Sequence, residues 1–370
     1  MIHRLFLLNG LATIGAVLHH GIVFCLTAMI WWTDRYLPVN VPNYDQVNGV
    51  QYHLLHLVDQ WVFGSVFAFL FISGYFIAIT VGHAQHRTRW SMVAKRAYII
   101  LIPYLIWSAV IIILKYLEGD FYTVMEIITT LIRGEVAAPY YYVIVVIQLY
   151  LLAPFWIPFA KERWKPLLII AVLIQIPILF SHYIGILKIP VDSYKSIIRF
   201  FREWYLLDYG FWCILGAIVG FHQGEYKQLL NRFKPVLLFA LVVSFIACII
   251  EWEILRYYSG REWLPLQTLL SNKIFALVLL LFYFSIEKLR LPFSPHLVKL
   301  APKSYGIYLI HVFVLVYTAR IIYHVAPKLL GFQLVLLSLL AVVGISIPVL
   351  MMWIVNRTPR ARFLYKYLFG

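Results

Sequence analysis

Two adjacent histidines, His19 and His20, lie inside the first long apolar run of the 370-residue chain. A neutral imidazole titrates near physiological pH and suits general-base work. An ionisable group within an apolar layer is costly, and so is a site candidate until something explains it. Asn9 precedes His20 by eleven positions, which on a helix brings the two to within about 20° of one direction. Ala12, Thr13 and Ala16 share that face, whereas His19 is turned about 80° away. By helix rise, His20 stands about 22 Å above Leu5, in the outer half of an apolar layer about 30 Å thick. A stripe of small and polar residues ending in an imidazole reads as a cavity wall, or as a tight helix contact with the histidine bonded across to a neighbour.

Other candidates are more dispersed. His311 ends the stretch Ser304-Tyr-Gly-Ile-Tyr-Leu-Ile-His311, about 10 Å above the expected inner edge of its helix. On its own it reads as a structural histidine. His53 and His56, three apart, share a face if helical, but two histidines without a third ligand make no zinc site, and no metal is expected. His83, His86, His222, His296 and His324 fall in connections or at span ends and read as solvated. Arg87, Arg89, Lys95 and Arg96 gather at the foot of the third apolar segment, which Pro103 should kink. Such a group suits phosphate oxygens, or simply marks the cytosolic side of a membrane protein.

The elements that must hold these residues follow from composition. Hydrophobic residues make up 63% of the chain and charged ones only 13%, with a mean hydropathy of +0.84. Soluble domains are about 25% charged, so a soluble enzyme, a secreted disulfide scaffold and a disordered regulator are all excluded. Ten apolar segments are legible: 5–31, 61–81, 97–116, 140–160, 166–185, 208–222, 235–255, 273–287, 304–325 and 333–355. With the N-terminus inside, the inner side collects nineteen basic residues against three acids, and the outer side takes the other twelve against thirteen. That is the positive-inside pattern. The net charge of +15 therefore belongs to topology, and no nucleic-acid partner is expected. The first segment, closed by Trp31-Trp32, reads as a retained span rather than a cleaved leader. The three cysteines all fall in apolar runs and imply no disulfides. The expected fold is all-α: one domain over 1–370, a polytopic membrane helix bundle of about ten transmembrane helices with both termini cytoplasmic. Loops 32–60 and 186–207 are expected outside.

Taken in order, five of these stretches resemble the acyltransferase-3 family of integral membrane acyltransferases. The family's first helix has an arginine, ten residues, then a histidine; here Asn9 and His20 hold those places. Phe69-Leu-Phe-Ile-Ser73-Gly74-Tyr75 is similar to its second-helix motif, and Lys95-Arg96 through Pro103-Tyr104 to the start of its third. Tyr140 through Pro154 is similar to its fourth helix, and Ser304 through His311 to a late Ser-x-Gly-Ile-Tyr-Leu-x-His. The resemblance implies transfer of an acyl group, usually acetyl, from cytosolic acyl-CoA to a carbohydrate hydroxyl at or beyond the outer face of the plasma membrane. It makes His20 catalytic, with Asp59 a candidate to orient its ring. Asn9, Ser73, Lys95, Arg96 and His311 fall on the donor side: Lys95 and Arg96 on the CoA phosphates, His311 along the lower cavity. Trp204, Tyr205, Trp252 and Trp263 offer rings for the sugar acceptor. Asn9 departs from the family pattern, because it can hydrogen-bond but carries no charge, and Arg4, about 140° away around the helix, does not replace it. The fourth-span wording is closest to the branch that modifies exopolysaccharides.

Two other classes remain open from the residues: a secondary transporter or flippase for a sugar or lipid-linked intermediate, with His20 and Asp59 coupling protons, and an inactive subunit of a polysaccharide export complex, for which the absent arginine argues. A membrane-bound O-acyltransferase of the other large superfamily lacks its Asn-then-His arrangement here.

Overall fold

The computed structural model describes residues 2–31, 47–81, 86–190, 196, 200, 205–286 and 291–370, with backbone alone at 81, 86–89 and 205. Trp204 and the Tyr205 side chain, offered above as acceptor contacts, lie outside the described residues, as do His83 and the side chains of His86, Arg87 and Arg89. Among the described residues the chain is helical and has no strand.

In chain order the helices are α1 (Ile2–Ile30), α2 (Val50–Val62), α3 (Ser65–Val81), α4 (His86–Leu117), α5 (Val124–Arg133), α6 (Tyr141–Glu162), α7 (Trp164–Leu187), α8 (Tyr205–Phe221), α9 (Gln223–Ser259), α10 (Leu270–Ser285), α11 (Ser294–Leu300), α12 (Ser304–Val325), α13 (Gln333–Arg357) and α14 (Tyr365–Leu368). Among the described residues eight segments are long and apolar enough to cross a membrane, and two shorter apolar helices, 206–221 and 270–285, fall where two further spans are expected. The protein is a multi-pass membrane protein.

Two elements differ from expectation. Residues 50–60, expected in an outer loop, form most of α2. Tyr52, Leu55, His56 and Asp59 are buried along it at spacings of three and four, so a helix face was present in the sequence but carried polar residues. The connection 117–139 holds α5, started by a reciprocal capping box between Thr123 and Glu126 and stopped at Gly134 in the left-handed region. The Tyr104 hydroxyl donates to the Leu131 carbonyl at 2.6 Å. Tyr104 lies thirteen residues, about 20 Å, before the end of α4. Even with the reach of a tyrosine side chain, α5 therefore runs back alongside α4 and not away from it.

The chain divides into two compact units. The first comprises 1–9, 66–98 and 144–294. In it a Cβ on Gly74 would strike the Cys213 carbonyl, and one on Gly216 the Phe71 carbonyl, so each glycine lets the backbones of α3 and α8 touch. The Phe67 and Trp212 rings stack beside that contact, 4.3 Å apart. The second unit comprises 10–65, 99–143 and 295–370. There Gly10 abuts the Leu297 carbonyl and Gly344 abuts Val17 and Leu315, which fixes α1 between α11–α12 and α13.

Candidate active site

The second unit collects the histidines. Asp59, fully buried on α2, points its carboxylate at α1, where Oδ1 lies 2.6 Å from His19 Nδ1. A carboxylate can only accept, so Nδ1 of His19 donates and its Nε2 keeps the lone pair in the neutral ring. The His19 and His20 rings meet edge to face at 5.1 Å, and the His20 and His311 rings are 5.2 Å apart. His311 is fully buried on α12, and its Nδ1 faces the Tyr308 and Ile307 carbonyls at 2.8 and 3.1 Å. Both partners are acceptors. The proton therefore sits on Nδ1, and Nε2, which finds no partner among the described residues, is a fixed acceptor. Oδ2 of Asp59 is likewise buried without a partner.

His20 thus stands in a row, between an imidazole held by a carboxylate and one held by main-chain carbonyls. It is half-buried and, among the described residues, makes no hydrogen bond of its own. The small-residue face below it is divided: Ala12 and Thr13 are buried against protein, while Ala16 and His20 retain exposure.

This geometry corrects four expectations. Asp59 orients a histidine, but the ring it holds is His19, the one turned off the Asn9 face. His311 does not line a lower level, because its apolar span begins at Ser294 and not at 304. Seventeen residues of rise, about 25 Å, bring it level with His20, which stands about 27 Å above Ile2. Trp252 is buried, with the Arg256 guanidinium over its ring at 5.5 Å, and presents no open face to a sugar. Trp263 is half-buried. His222, expected to be solvated, approaches the Ala160 carbonyl with Nε2 at 3.2 Å.

The residues expected on the donor side, Asn9, Ser73, Lys95 and Arg96, belong to the first unit. Asn9 and Ser73 are half-buried, and Lys95 and Arg96 are exposed on α4. Arg4 is committed elsewhere: it is buried, donates to the Ile286 carbonyl and lies over the Tyr283 ring, whose hydroxyl returns a bond to the Arg4 carbonyl at 2.9 Å. Among the described residues no group of three or more His, Cys, Asp or Glu side chains is arranged to hold a metal ion.

Sequence reasoning missed the His19–Asp59 bond and the role of α2. The signal was the spacing 52, 55, 56 and 59, which continues a buried helical stripe through His56 and Asp59. No curated protein and no solved structure matches the chain. The family model described as an acyltransferase domain matches residues 3–353, nearly the whole chain, and so covers both units and the histidine row. The chain belongs to the acyltransferase-3 family and is a membrane acyltransferase.

Proposed function

We propose that the protein moves an acyl group, acetyl in the first instance, from cytosolic acyl-CoA to a hydroxyl of a cell-surface or exported carbohydrate. The observation that carries this reading is the row His19–His20–His311. Its central imidazole is half-buried and makes no hydrogen bond among the described residues, and each neighbour is held in a defined tautomer. In this reading the hydroxyl oxygen attacks the thioester carbon while His20 takes its proton. The tetrahedral intermediate then collapses with loss of the C–S bond, and His20 returns the proton to the departing thiolate, leaving an ester and free CoA. The His19–Asp59 pair holds the first ring in place beside it. Lys95 and Arg96, basic and exposed, meet the CoA phosphates. The charge bias of the connections supports a plasma-membrane protein with both termini cytosolic, and an exopolysaccharide is the acceptor class the fourth-span wording favours.

The test is radiolabelled acetyl-CoA with purified protein and an oligosaccharide acceptor. Label should appear in the oligosaccharide as a base-labile ester. Absence of transfer, together with proton-coupled sugar uptake into proteoliposomes, would instead make the His19–Asp59 pair a coupling site of a transporter.

A further inference from the structure

Tyr308 precedes His311 by three residues on α12, so the two share a face. Its side chain is more than nine-tenths buried, yet its hydroxyl finds no hydrogen-bond partner among the described residues. Nearby tyrosines of the same unit behave otherwise. The hydroxyls of Tyr104, Tyr140 and Tyr305 donate to the carbonyls of Leu131, Leu309 and Ile100 at 2.6, 2.7 and 2.5 Å. A buried hydroxyl without a partner is unfavourable, and native structures hold few of them. The Tyr308 ring is itself well held, by Tyr142 at 5.3 Å, by Tyr305 stacked at 6.5 Å and by His311 at 6.0 Å. A rigid ring therefore carries an unused donor, its centroid 6.0 Å from the ring of His311, which in turn lies 5.2 Å from the ring of His20.

We infer that Tyr308 is a further catalytic residue, whose O–H donates to the acyl carbonyl oxygen as the sugar hydroxyl attacks. The inference rests on the acyl-transfer reading above. When the oxygen–carbon bond forms, the carbonyl π pair moves onto oxygen. The Tyr308 hydroxyl strengthens its hydrogen bond to that oxyanion without giving up its proton, while the proton of the attacking hydroxyl goes to His20. When the C–S bond breaks, the pair returns to the carbonyl, and the tyrosine is left as it began. A phenol suits this role because it is a strong neutral donor that needs no charge in an apolar surrounding.

Tyr308→Phe keeps the ring and removes only the unpartnered oxygen, so the variant should melt with the wild type. In the acetyl-CoA assay, kcat should fall by about 10²–10³ with the KM for acetyl-CoA unchanged, as for loss of one oxyanion donor. Tyr140→Phe, which removes a bonded hydroxyl, should instead lower the melting temperature and leave kcat of the folded enzyme close to wild type. An unchanged kcat in Tyr308→Phe, a loss confined to KM, or a loss that tracks unfolding would overturn the assignment. Wild-type protein that transfers no acetyl group sinks the acyl-CoA reading and this inference with it. An active wild type with an equally active Tyr308→Phe sinks the inference alone.

Discussion

Each unit buries a polar cluster among apolar helices, and the two clusters are built on opposite principles. In the first unit Asp208 on α8 is paired with Lys273 on α10 and approached by His182 Nε2 on α7 at 3.2 Å. Lys273 also reaches Gln175 at 3.2 Å, and Gln175 bonds the Leu207 carbonyl at 3.0 Å. Every charge there has a partner on another helix, which ties together the 17-residue α8 and the 16-residue α10. In the second unit the row from Asp59 to His311 leaves Asp59 Oδ2, Tyr308 OH and His311 Nε2 unpartnered among the described residues. A satisfied cluster holds helices in place. An unsatisfied one has bonding capacity left for something that is not part of the fold.

The contrast is broken most severely by removing the open base. His20→Ala should lower acyl transfer by about 10²–10⁴, the usual cost of a general base, with the melting temperature hardly moved, since no hydrogen bond is lost. His19→Ala should behave differently. It strands the buried Asp59 carboxylate and so destabilises the protein, while the fraction that folds keeps a substantial part of its activity. Equal loss of activity per folded molecule in both variants would move the site away from His20.

Next comes the satisfied cluster. Lys273→Met leaves Asp208 as a buried unpaired carboxylate and should cost about 3–5 kcal/mol of stability. Adding Asp208→Asn removes the charge, keeps a bond to His182 and should recover most of that loss. The check is unfolding in detergent. Should Lys273→Met lose activity without losing stability, the cluster has a role in the chemistry that its geometry does not suggest.

Smaller effects test the margins. Lys95→Gln with Arg96→Gln should weaken acetyl-CoA binding by about 1.5–3 kcal/mol, because a charged phosphate contact is lost from an exposed helix surface. Expression and melting should stay as they were. If affinity is unchanged, these residues serve topology alone.

Smallest is the pair at the end of α4, where Arg320 reaches Glu118 at 2.5 Å and Tyr317 donates to it at 2.7 Å. The hydrogen bond from Arg320 holds the Glu118 carboxyl below its ordinary range. Its contribution is therefore full above the ordinary carboxylate pKa and is lost as pH falls through the lowered one. Being exposed, the pair is worth no more than about 1 kcal/mol. Glu118→Gln should remove that part of the acid loss in melting temperature.

How much of this was legible depended on whether a signal was apolar. Among the described residues each of the ten apolar segments falls on a helix, though not always with the expected ends, and the family resemblance followed from five motifs in series. His20 falls in the C-terminal half of α1 (Ile2–Ile30), as helix rise from the start of that segment requires. What failed had polar residues in its pattern. The stripe through Tyr52, Leu55, His56 and Asp59 was hidden because two of its members look like loop residues, and the true foot of the ninth span at Ser294 was obscured by the polar stretch around Pro302-Lys303-Ser304. Reckoned from the wrong foot, His311 came out too low to meet His20.

The sequence by itself determined that this chain lives in a membrane, that it is helical, and that its first helix carries a histidine pair facing two directions, because partition of apolar side chains and the 100° step of a helix act on each segment separately. It could not decide which histidine the carboxylate would hold, or which polar atoms would be left over. Those depend on distances between α1, α2 and α12, set by contacts such as Gly10 against Leu297 that no single segment contains. Whether a buried hydroxyl is satisfied is a property of its surroundings. Tyr140 and Tyr308 are the same residue type in the same unit, and only the packing makes one a brace and leaves the other unpartnered.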